Sequence, residues 1–399
     1  MLSVQLDMLQ TGAAGAIIYV IGRFLVNRFS IFKKYCIPVP VVGGLLFALI
    51  HLCLYQAGIL EFSFEPKVST PTLQVLFMSC FFTSVGFSVG FKLLKKGGIS
   101  LVIFLFVVAG LIICQDVIGS ILAKSFGLDP RLGLAMGSIP LVGGHGTSGA
   151  FGPLMEQEYH IASATVVAIA AATYGLISGS IIGGPIARHE VVANNLHSEA
   201  GAESGDSSDV ITQVIDRERF TNAGLILVAS LGIGSLINIA FKHVGISLAS
   251  YIGPMVIAVI MRNYADSAKK ELPMEEINTI GDVSLSLFLS IALMSLKLWQ
   301  LASLAVPMIV ILAIQTVFIA FYAHFVCFRV MGRDYEAAAL TTALCGFGLG
   351  ATPNAMANMK ALREVYGNAP KAFFIIPIVG GMFTDFINSF LITVFLNIL

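Results

Sequence analysis

The fold class is decided by residues 159–187, which read YHIASATVVAIAAATYGLISGSIIGGPIA and contain no Asp, Glu, Lys or Arg. An apolar helix needs about 20 residues to cross the hydrocarbon core of a bilayer. Similar runs recur at 298–328, which is uncharged, and at 99–123, which contains only Asp116. The chain is 57% hydrophobic and 12% charged, whereas average soluble domains are roughly 25% charged. The sequence therefore predicts an all-α integral membrane protein, and its zero net charge does not indicate nucleic-acid binding.

Outward from that stretch, hydropathy predicts ten transmembrane helices. Their approximate bounds are 8–27, 38–56, 72–91, 99–124, 159–184, 220–241, 248–262, 281–299, 302–328 and 372–397. Two further apolar stretches, about 132–155 and 337–359, are rich in glycine and are not predicted to be ordinary spans.

The distribution of basic residues predicts the orientation of these spans, because Lys and Arg accumulate on the cytoplasmic side. With both termini outside and both glycine-rich stretches re-entrant, five of the 23 basic residues fall on the outer side and 18 on the inner side. The outer five are Lys67, Lys124, Arg131, Lys242 and Lys297. This asymmetry favours termini on the periplasmic side.

Residues 189–218 differ in composition from the rest of the chain. They are rich in Ala, Gly, Ser, Asn and acidic residues and contain few large apolar side chains, so they cannot bury enough surface to order themselves. They are predicted to be a cytoplasmic linker between an N-terminal membrane repeat, 1–188, and a C-terminal one, 219–399.

The two repeats match weakly, but in the same order along the chain. The matched residues are Gln115 with Gln315, Asp129 with Asp334, Gly144 with Gly346, and Thr173 with Thr384. Each repeat holds five spans, an odd number, so the second enters the membrane from the opposite face. Inverted repeats are typical of secondary transporters, which bind substrate near the bilayer midplane at the repeat interface.

The glycine-rich stretches predict helical hairpins that dip into the membrane. Clustered Gly and Pro break helices, and such backbone is tolerated at membrane depth only where protein buries it or it lines a wet cavity. Thr352, followed by Pro353, is predicted to cap the half-helix after the second turn, and Thr147 and Ser148 the half-helix after the first. The N–H groups of a helix start attract anions. The alternative is that these glycines only allow close helix packing.

Two acidic residues lie well inside predicted spans, Asp116 and Asp385, where a charge costs about 2.5–3.5 kcal/mol. Asp385, Asn388 and Ser389 share one helical face and together offer oxygen ligands to a hard cation such as Na⁺. Asp116 has an alternative role as a hydrogen-bond partner of Gln115 or of the hairpin backbone.

Three other functions fit parts of this pattern. Opposed half-helices also form channels, and Asp116 with Asp385 is compatible with a Na⁺/H⁺ antiporter. Ser148 with His145 superficially resembles a nucleophile and its base, but no acidic residue is placed to orient them, so an enzyme is not expected.

Residues 143–153, GGHGTSGAFGP, and 348–359, GLGATPNAMANM, resemble the paired glycine-loop motifs of the bacterial sodium/glutamate symporters, and the similarity extends over essentially the whole chain. The resemblance implies L-glutamate import with Na⁺ as the coupling ion, across a bacterial inner membrane. It also implies a homodimer with an elevator-like movement, in which spans three to five, spans eight to ten and both hairpins move against a static scaffold.

The candidate site residues follow from the loops, the paired glutamines and the buried acids. The candidate substrate-binding residues are Gly144, His145, Gly146, Thr147, Ser148, Gly348, Gly350, Thr352, Asn354, Gln115 and Gln315. The candidate ion-binding residues are Asp385, Asn388, Ser389 and Asp116, with Na⁺ at Asp385. The expected partners are L-glutamate, Na⁺, membrane lipid and a second copy of the chain.

Overall fold

The structure of the chain is a computed structural model that describes residues 2–30, 32, 38–63, 73–198, 216–243, 250–299 and 304–399. These residues are helical apart from two short strands and the connecting segments. Strand β1, Leu2–Gln5, pairs in parallel with β2, Leu60–Ser63, and Leu2 lies opposite Leu60. The fold is therefore all-α, as predicted.

Fourteen helices are numbered here along the described part of the chain, with each internal π turn counted within its helix. They are α1 Met8–Arg28, α2 Val39–Gln56, α3 Leu73–Ser88, α4 Phe91–Ser125, α5 Ser138–Leu141, α6 Gly144–Gln157, α7 Ala164–Ala193, α8 Arg217–His243, α9 Ile252–Ser267, α10 Met274–Met294, α11 Ala305–Val330, α12 Tyr335–Leu349, α13 Thr352–Tyr366 and α14 Pro370–Ile398. A 3₁₀ helix, Pro130–Met136, precedes α5.

Eight of these helices are long and apolar enough to cross a membrane: α1, α2, α4 from Gly98 onward, α7, α8, α10, α11 and α14. Their outer faces are apolar; in α8, Leu225, Val228 and Leu236 are 64%, 66% and 63% exposed. Side chains of this kind are stable at a surface covered by lipid tails and unfavourable in water. The chain is therefore a multi-pass membrane protein.

The other two predicted spans, 72–91 and 248–262, fall on helices of only 16 residues, α3 and α9. That these two cross the membrane stays a prediction.

Helix α10 begins seven residues before the predicted span at 281, because Glu275 and Glu276 form its first turn. Carboxylates are favourable there, next to the positive end of the helix dipole, and Glu276 also pairs with Arg219 at 3.0 Å. Glu275 and Glu276 thus lie within α10, whereas the predicted span began after them.

The predicted linker is partly helical, since α7 continues to Ala193. Beyond it, the Ser198 hydroxyl donates to the carbonyl of Asn368 at 2.6 Å. Residues 199–215 lie outside the described residues.

The helices pack in two groups. The first, called here the frame, contains α1, α2, α3, α8, α9 and α10; the second, the loop bundle, contains α4 to α7 and α11 to α14. Glycines allow close approach within each group. A Cβ on Gly86 of α3 would lie 2.5 Å from the Met255 carbonyl oxygen of α9, and one on Gly175 of α7 would lie 1.9 Å from that of Leu349 in α12. The third and eighth predicted spans, α3 and α10, therefore pack mainly with the frame. Helix α10 also contacts the loop bundle, since a Cβ on Gly149 of α6 would lie 2.8 Å from the Phe288 ring.

Candidate functional site

The first glycine-rich stretch is interrupted between α5 and α6, at Val142 and Gly143. Gly144 then opens α6 with a φ of 60°. This left-handed conformation costs a residue that carries a Cβ about 1–2 kcal/mol. A glycine is therefore required where α6 begins.

The second stretch is interrupted at Gly350 and Ala351, between α12 and α13. The two helices pack closely, and a Cβ on Gly346 would lie 2.5 Å from the backbone nitrogen of Ala355. Gly346 and Gly348 precede this break, whereas Gly144 opens the helix after the first one. The predicted pairing of Gly144 with Gly346 is therefore out of register, and the glycine at the second break is Gly350.

The two interruptions meet in space. A Cβ on Gly144 would lie 3.3 Å from the carbonyl oxygen of Gly350, although the two residues are far apart in the chain. Both breaks border one cavity of about 440 Å³, a volume within the usual range for small-molecule sites. The starts of α6 and α13 thus open into a common space.

The predicted side-chain caps are wrong at both helix starts. Ala351 is the N-cap of α13, so Thr352 is its first helical residue and not its cap. Gly143 is the N-cap of α6, without a side-chain hydrogen bond. The Ser148 hydroxyl instead donates to the carbonyls of Gly144, at 2.7 Å, and Ala168, at 3.2 Å. The first N–H groups of both helices are consequently left without a side-chain cap.

Two side chains of the first loop line the cavity, His145 and Thr147. The Nε2 atom of His145 lies 3.0 Å from the Thr173 hydroxyl, with donor and acceptor set by the imidazole tautomer. Thr147 is 1% exposed, and its hydroxyl has no hydrogen-bond partner among the described residues. Because Ser148 bonds to backbone carbonyls and His145 to Thr173, the geometry gives no nucleophile and base pair.

The cavity lies between the frame and the loop bundle. Among the predicted site residues, those that line it are Gly144, His145, Gly146, Thr147, Gly350, Thr352 and Asp385. The frame contributes Phe81 and Phe82 from α3, and Asp282, Leu285 and Leu289 from α10.

The other predicted substrate residues lie in helix contacts outside the cavity. The Gln115 amide donates to the carbonyl of Gly348 at 2.9 Å, and the Gln315 amide to that of Gln115 at 2.7 Å. The Asn354 amide donates to the carbonyl of Leu176 at 2.7 Å. The two glutamine bonds hold α4, α11 and α12 together, and the asparagine bond holds α13 to α7. All three lie behind the cavity wall.

The predicted ion-binding residues are divided between two places. Asp116 accepts hydrogen bonds from the backbone N–H and the hydroxyl of Ser138, both at 2.9 Å, and the Asn388 amide donates to the Ser138 carbonyl at 3.2 Å. Ser389 accepts from the Tyr251 hydroxyl at 3.3 Å. Asp385 alone of the four lines the cavity.

Asp385 follows a π turn, Val379–Phe383, in α14. Gly380 and Gly381 of this turn also line the cavity, and the Thr384 hydroxyl donates to the Val379 carbonyl at 2.7 Å. Single π turns inside helices are frequent at functional sites, because they disturb the regular carbonyl pairing. A carboxylate beside such backbone is a suitable environment for Na⁺. Groups of three or more His, Cys, Asp or Glu that could hold a metal do not occur within the described residues.

Sequence reasoning missed Asp282. It lies in α10, on the frame side of the cavity, and was placed at the end of a span because the helix start was set too late. The signal was present in the sequence, since Asp282 is followed by the apolar residues 287–289 and preceded by a favourable helix start at 274–276.

A solved structure of the sodium proton antiporter MjNhaP1 from Methanocaldococcus jannaschii aligns over 98% of this chain and 97% of its own, with 14% identity and a TM-score of 0.44. That score is too low to relate the two folds.

Full-length relatives are much more similar. The proteins of Escherichia coli (strain K12) and Shigella flexneri named sodium/glutamate symporter are each 40% identical over 400 residues, covering 98% of both chains. The Haemophilus influenzae protein of the same name is 39% identical over 395 residues and covers 96% of both. The sequence profile described as sodium/glutamate symporter matches residues 4–368. On this match and these identities, the chain belongs to the sodium/glutamate symporter family.

Proposed function

We propose that this chain is a secondary active transporter that imports L-glutamate by symport with Na⁺, and that it catalyses no reaction. The relatives that share 39–40% identity over nearly the full chain carry that name. The observation that carries the proposal is the meeting of two interrupted helices, at Gly144 and Gly350, over a cavity lined by a carboxylate.

The substrate carboxylates are proposed to bind at the starts of α6 and α13. Uncapped N–H groups and the helix dipole favour an anion there, and L-glutamate has two carboxylates for two helix starts. The Thr147 hydroxyl and the His145 ring line the same space and supply further hydrogen bonds. This arrangement binds dicarboxylates without a buried arginine.

Na⁺ is proposed to bind at Asp385, with carbonyl oxygens of the adjacent π turn as further ligands. Asp116, Asn388 and Ser389 then support this site from behind, since Asp116 and Asn388 both hold Ser138 at the start of α5. Gln115 and Gln315 are proposed to fix the end of α12, just before the second helix break, against α4.

The chain is further proposed to consist of two inverted repeats, 1–188 and 219–399, each with a re-entrant hairpin, joined by the linker 189–218. Matching caps support this division. Asp129 caps the helix before the first break through the N–H of Arg131 at 2.8 Å. Asp334 caps α12 before the second through the N–H of Ala337 at 2.7 Å.

Transport is proposed to follow an elevator-like movement of the loop bundle against the frame, in a homodimer of the bacterial inner membrane with both termini periplasmic. The position of the cavity between the two packed groups supports this movement, because sliding one group would carry the helix breaks from one face to the other. The moving unit proposed here therefore excludes α3 and α10.

The test is uptake of radiolabelled L-glutamate into proteoliposomes with an imposed Na⁺ gradient. We expect saturable accumulation above the outside concentration, abolished when Na⁺ is replaced by K⁺. A channel would carry glutamate only down its own gradient. A Na⁺/H⁺ antiporter would change the internal pH without glutamate, and either result would refute symport.

A further inference from the structure

Asp282 is a carboxylate that the proposed function leaves without a role. It lies eight residues after the start of α10 at Met274, within a helix long enough to cross the membrane. Its carboxylate has no hydrogen-bond or ion-pair partner among the described residues, whereas Glu276 of the same helix is paired with Arg219. Asp282 is exposed where it lines the cavity, so its carboxylate is available to a ligand bound there.

We infer that Asp282 binds the α-ammonium group of the transported amino acid, and that it selects amino dicarboxylates over dicarboxylates that lack an amino group. This inference rests on the proposed function and adds a residue that determines specificity. It places the cationic end of the substrate on the frame and its anionic ends on the loop bundle.

The charges around the cavity support this assignment. No Lys or Arg occurs among the described residues that line it, and two carboxylates do, Asp282 and Asp385. A dicarboxylate would add two negative charges to these two. Like charges that share a cavity repel each other, so binding is favoured when each carboxylate is paired with a cation. With Na⁺ and L-glutamate bound, two cations are present: Na⁺ and the ammonium group of the amino acid.

The groups around each carboxylate indicate which cation it binds. Asp282, Leu285 and Leu289 lie on one face of α10, and Phe81 completes this wall. Na⁺ needs several oxygen ligands, which this apolar wall does not supply. An ammonium group can be held by one carboxylate, since a charge-assisted hydrogen bond is strong in itself. Asp385, by contrast, follows the π turn and its carbonyl groups.

The first loop offers a polar group on the side of the cavity that faces the frame. Thr147 is 1% exposed and lines the cavity, yet its hydroxyl is unpaired within the described part of the chain. Gly146 of the same loop faces the frame, since a Cβ there would lie 3.6 Å from the Phe81 ring and 3.8 Å from Leu285. The Thr147 hydroxyl at the cavity wall can donate a hydrogen bond to a substrate carboxylate.

The test compares L-glutamate with glutarate, which has the same two carboxylates and no amino group. In proteoliposomes containing Asp282→Asn, we expect the KM for glutamate to rise on the order of ten- to a hundred-fold, the effect of losing a hydrogen bond to a charged group. Glutarate should compete nearly as well as glutamate and should itself be taken up. The Na⁺ concentration for half-maximal uptake should stay unchanged.

Glu275→Gln is the matched control, because it makes the same change in charge at an exposed position in the first turn of α10, outside the cavity. It should leave KM and selectivity as in the wild type. Asp282→Glu, which keeps the charge, should retain the preference for glutamate. Since Asp282 has no described partner to lose, the Asn variant is expected to fold, and its thermal unfolding in detergent checks this.

The inference is overturned if Asp282→Asn still discriminates against glutarate as the wild type does. It is also overturned if the variant changes only the Na⁺ dependence, because Asp282 would then be an ion ligand. Failure of the wild type to accumulate glutamate would refute the proposed function itself and is measured in the same experiment.

Discussion

At the residue scale, the two acidic side chains predicted inside the spans have different environments. Asp116 is fully buried and accepts two hydrogen bonds from Ser138, so its charge is compensated locally. Asp385 lines the cavity and has no donor among the described residues. The first is suited to holding structure, and the second is available to a mobile cation.

Replacing Asp385 by Asn should therefore weaken the dependence of uptake on Na⁺. We expect the Na⁺ concentration for half-maximal uptake to rise at least ten-fold, because a neutral amide no longer compensates the ion. The measurement is glutamate uptake over a series of Na⁺ concentrations, at equal amounts of reconstituted protein. Unchanged Na⁺ stimulation would remove Asp385 from the ion site.

Replacing Asp116 by Asn should instead lower stability. The amide cannot accept both Ser138 hydrogen bonds as a carboxylate does, and hydrogen bonds to charged groups contribute about 1.5–3 kcal/mol each. We expect a lower unfolding temperature in detergent. A variant of wild-type stability that has lost its Na⁺ dependence would place Asp116 in the ion site instead.

At the scale of the elements, the helix breaks could be predicted from the sequence because glycine and proline act locally. Both breaks were located within a few residues. The eight long helices were also predicted, although α10 begins seven residues before its predicted start at 281 and α7 ends nine residues after its predicted end at 184. The caps were misplaced, since Thr352 with Pro353 fits either the N-cap and first position or the first two helical positions, and only the backbone conformation of Ala351 decides between them.

Other features could not be predicted because they depend on residues distant in the chain. The Gln115 amide bonds to a carbonyl 233 residues away, and nothing near Gln115 specifies that partner. The π turns at Ala323–Cys327 and Val379–Phe383 lie inside otherwise regular apolar helices. The position of Asp282 inside α10 was missed because the charges of Glu275 and Glu276 lower the hydropathy of the segment. The predicted span therefore began after them, although both residues stabilise the first turn of the helix.

The first break gives a prediction about backbone conformation. Gly144→Val should abolish uptake, since Val is strained at a φ of 60° and its side chain would be forced toward Gly350. The protein should still be present in the membrane, because the spanning helices are unchanged. Uptake and membrane abundance are measured together.

Gly184→Val in α7 is the control, because a Cβ there meets no atom within 4 Å and Val is tolerated in an apolar helix. It should transport like the wild type. Normal uptake by Gly144→Val would show that this break takes no part in transport.

At the scale of the whole molecule, the frame and the loop bundle are each closely packed, and the cavity lies between them. The proposed movement of one group against the other would change access to the cavity while it keeps the packing within each group. Helices packed within a group are not expected to separate, because their glycine contacts leave no space for rearrangement.

This predicts that linking the two groups stops transport. In Gly146→Cys with Leu285→Cys, across the cavity, a short bifunctional thiol reagent should reduce uptake to background. The same reagent on Tyr174→Cys with Thr316→Cys should have little effect, since those side chains already meet within the loop bundle, at 3.0 Å between hydroxyls. The comparison is uptake before and after reaction, in a background without native cysteines. Full activity of the linked first pair would exclude relative movement of the groups.

The carboxylates of Asp282 and Asp385 stand on opposite walls of the cavity, one on each group. In the empty cavity the two like charges repel each other, and any movement that narrows the proposed site increases this repulsion. Loading with a single cation removes only part of that repulsion. Under the proposed symport, closure of the cavity is therefore favoured when Na⁺ and the substrate ammonium group are both bound, which disfavours movement of a half-loaded carrier.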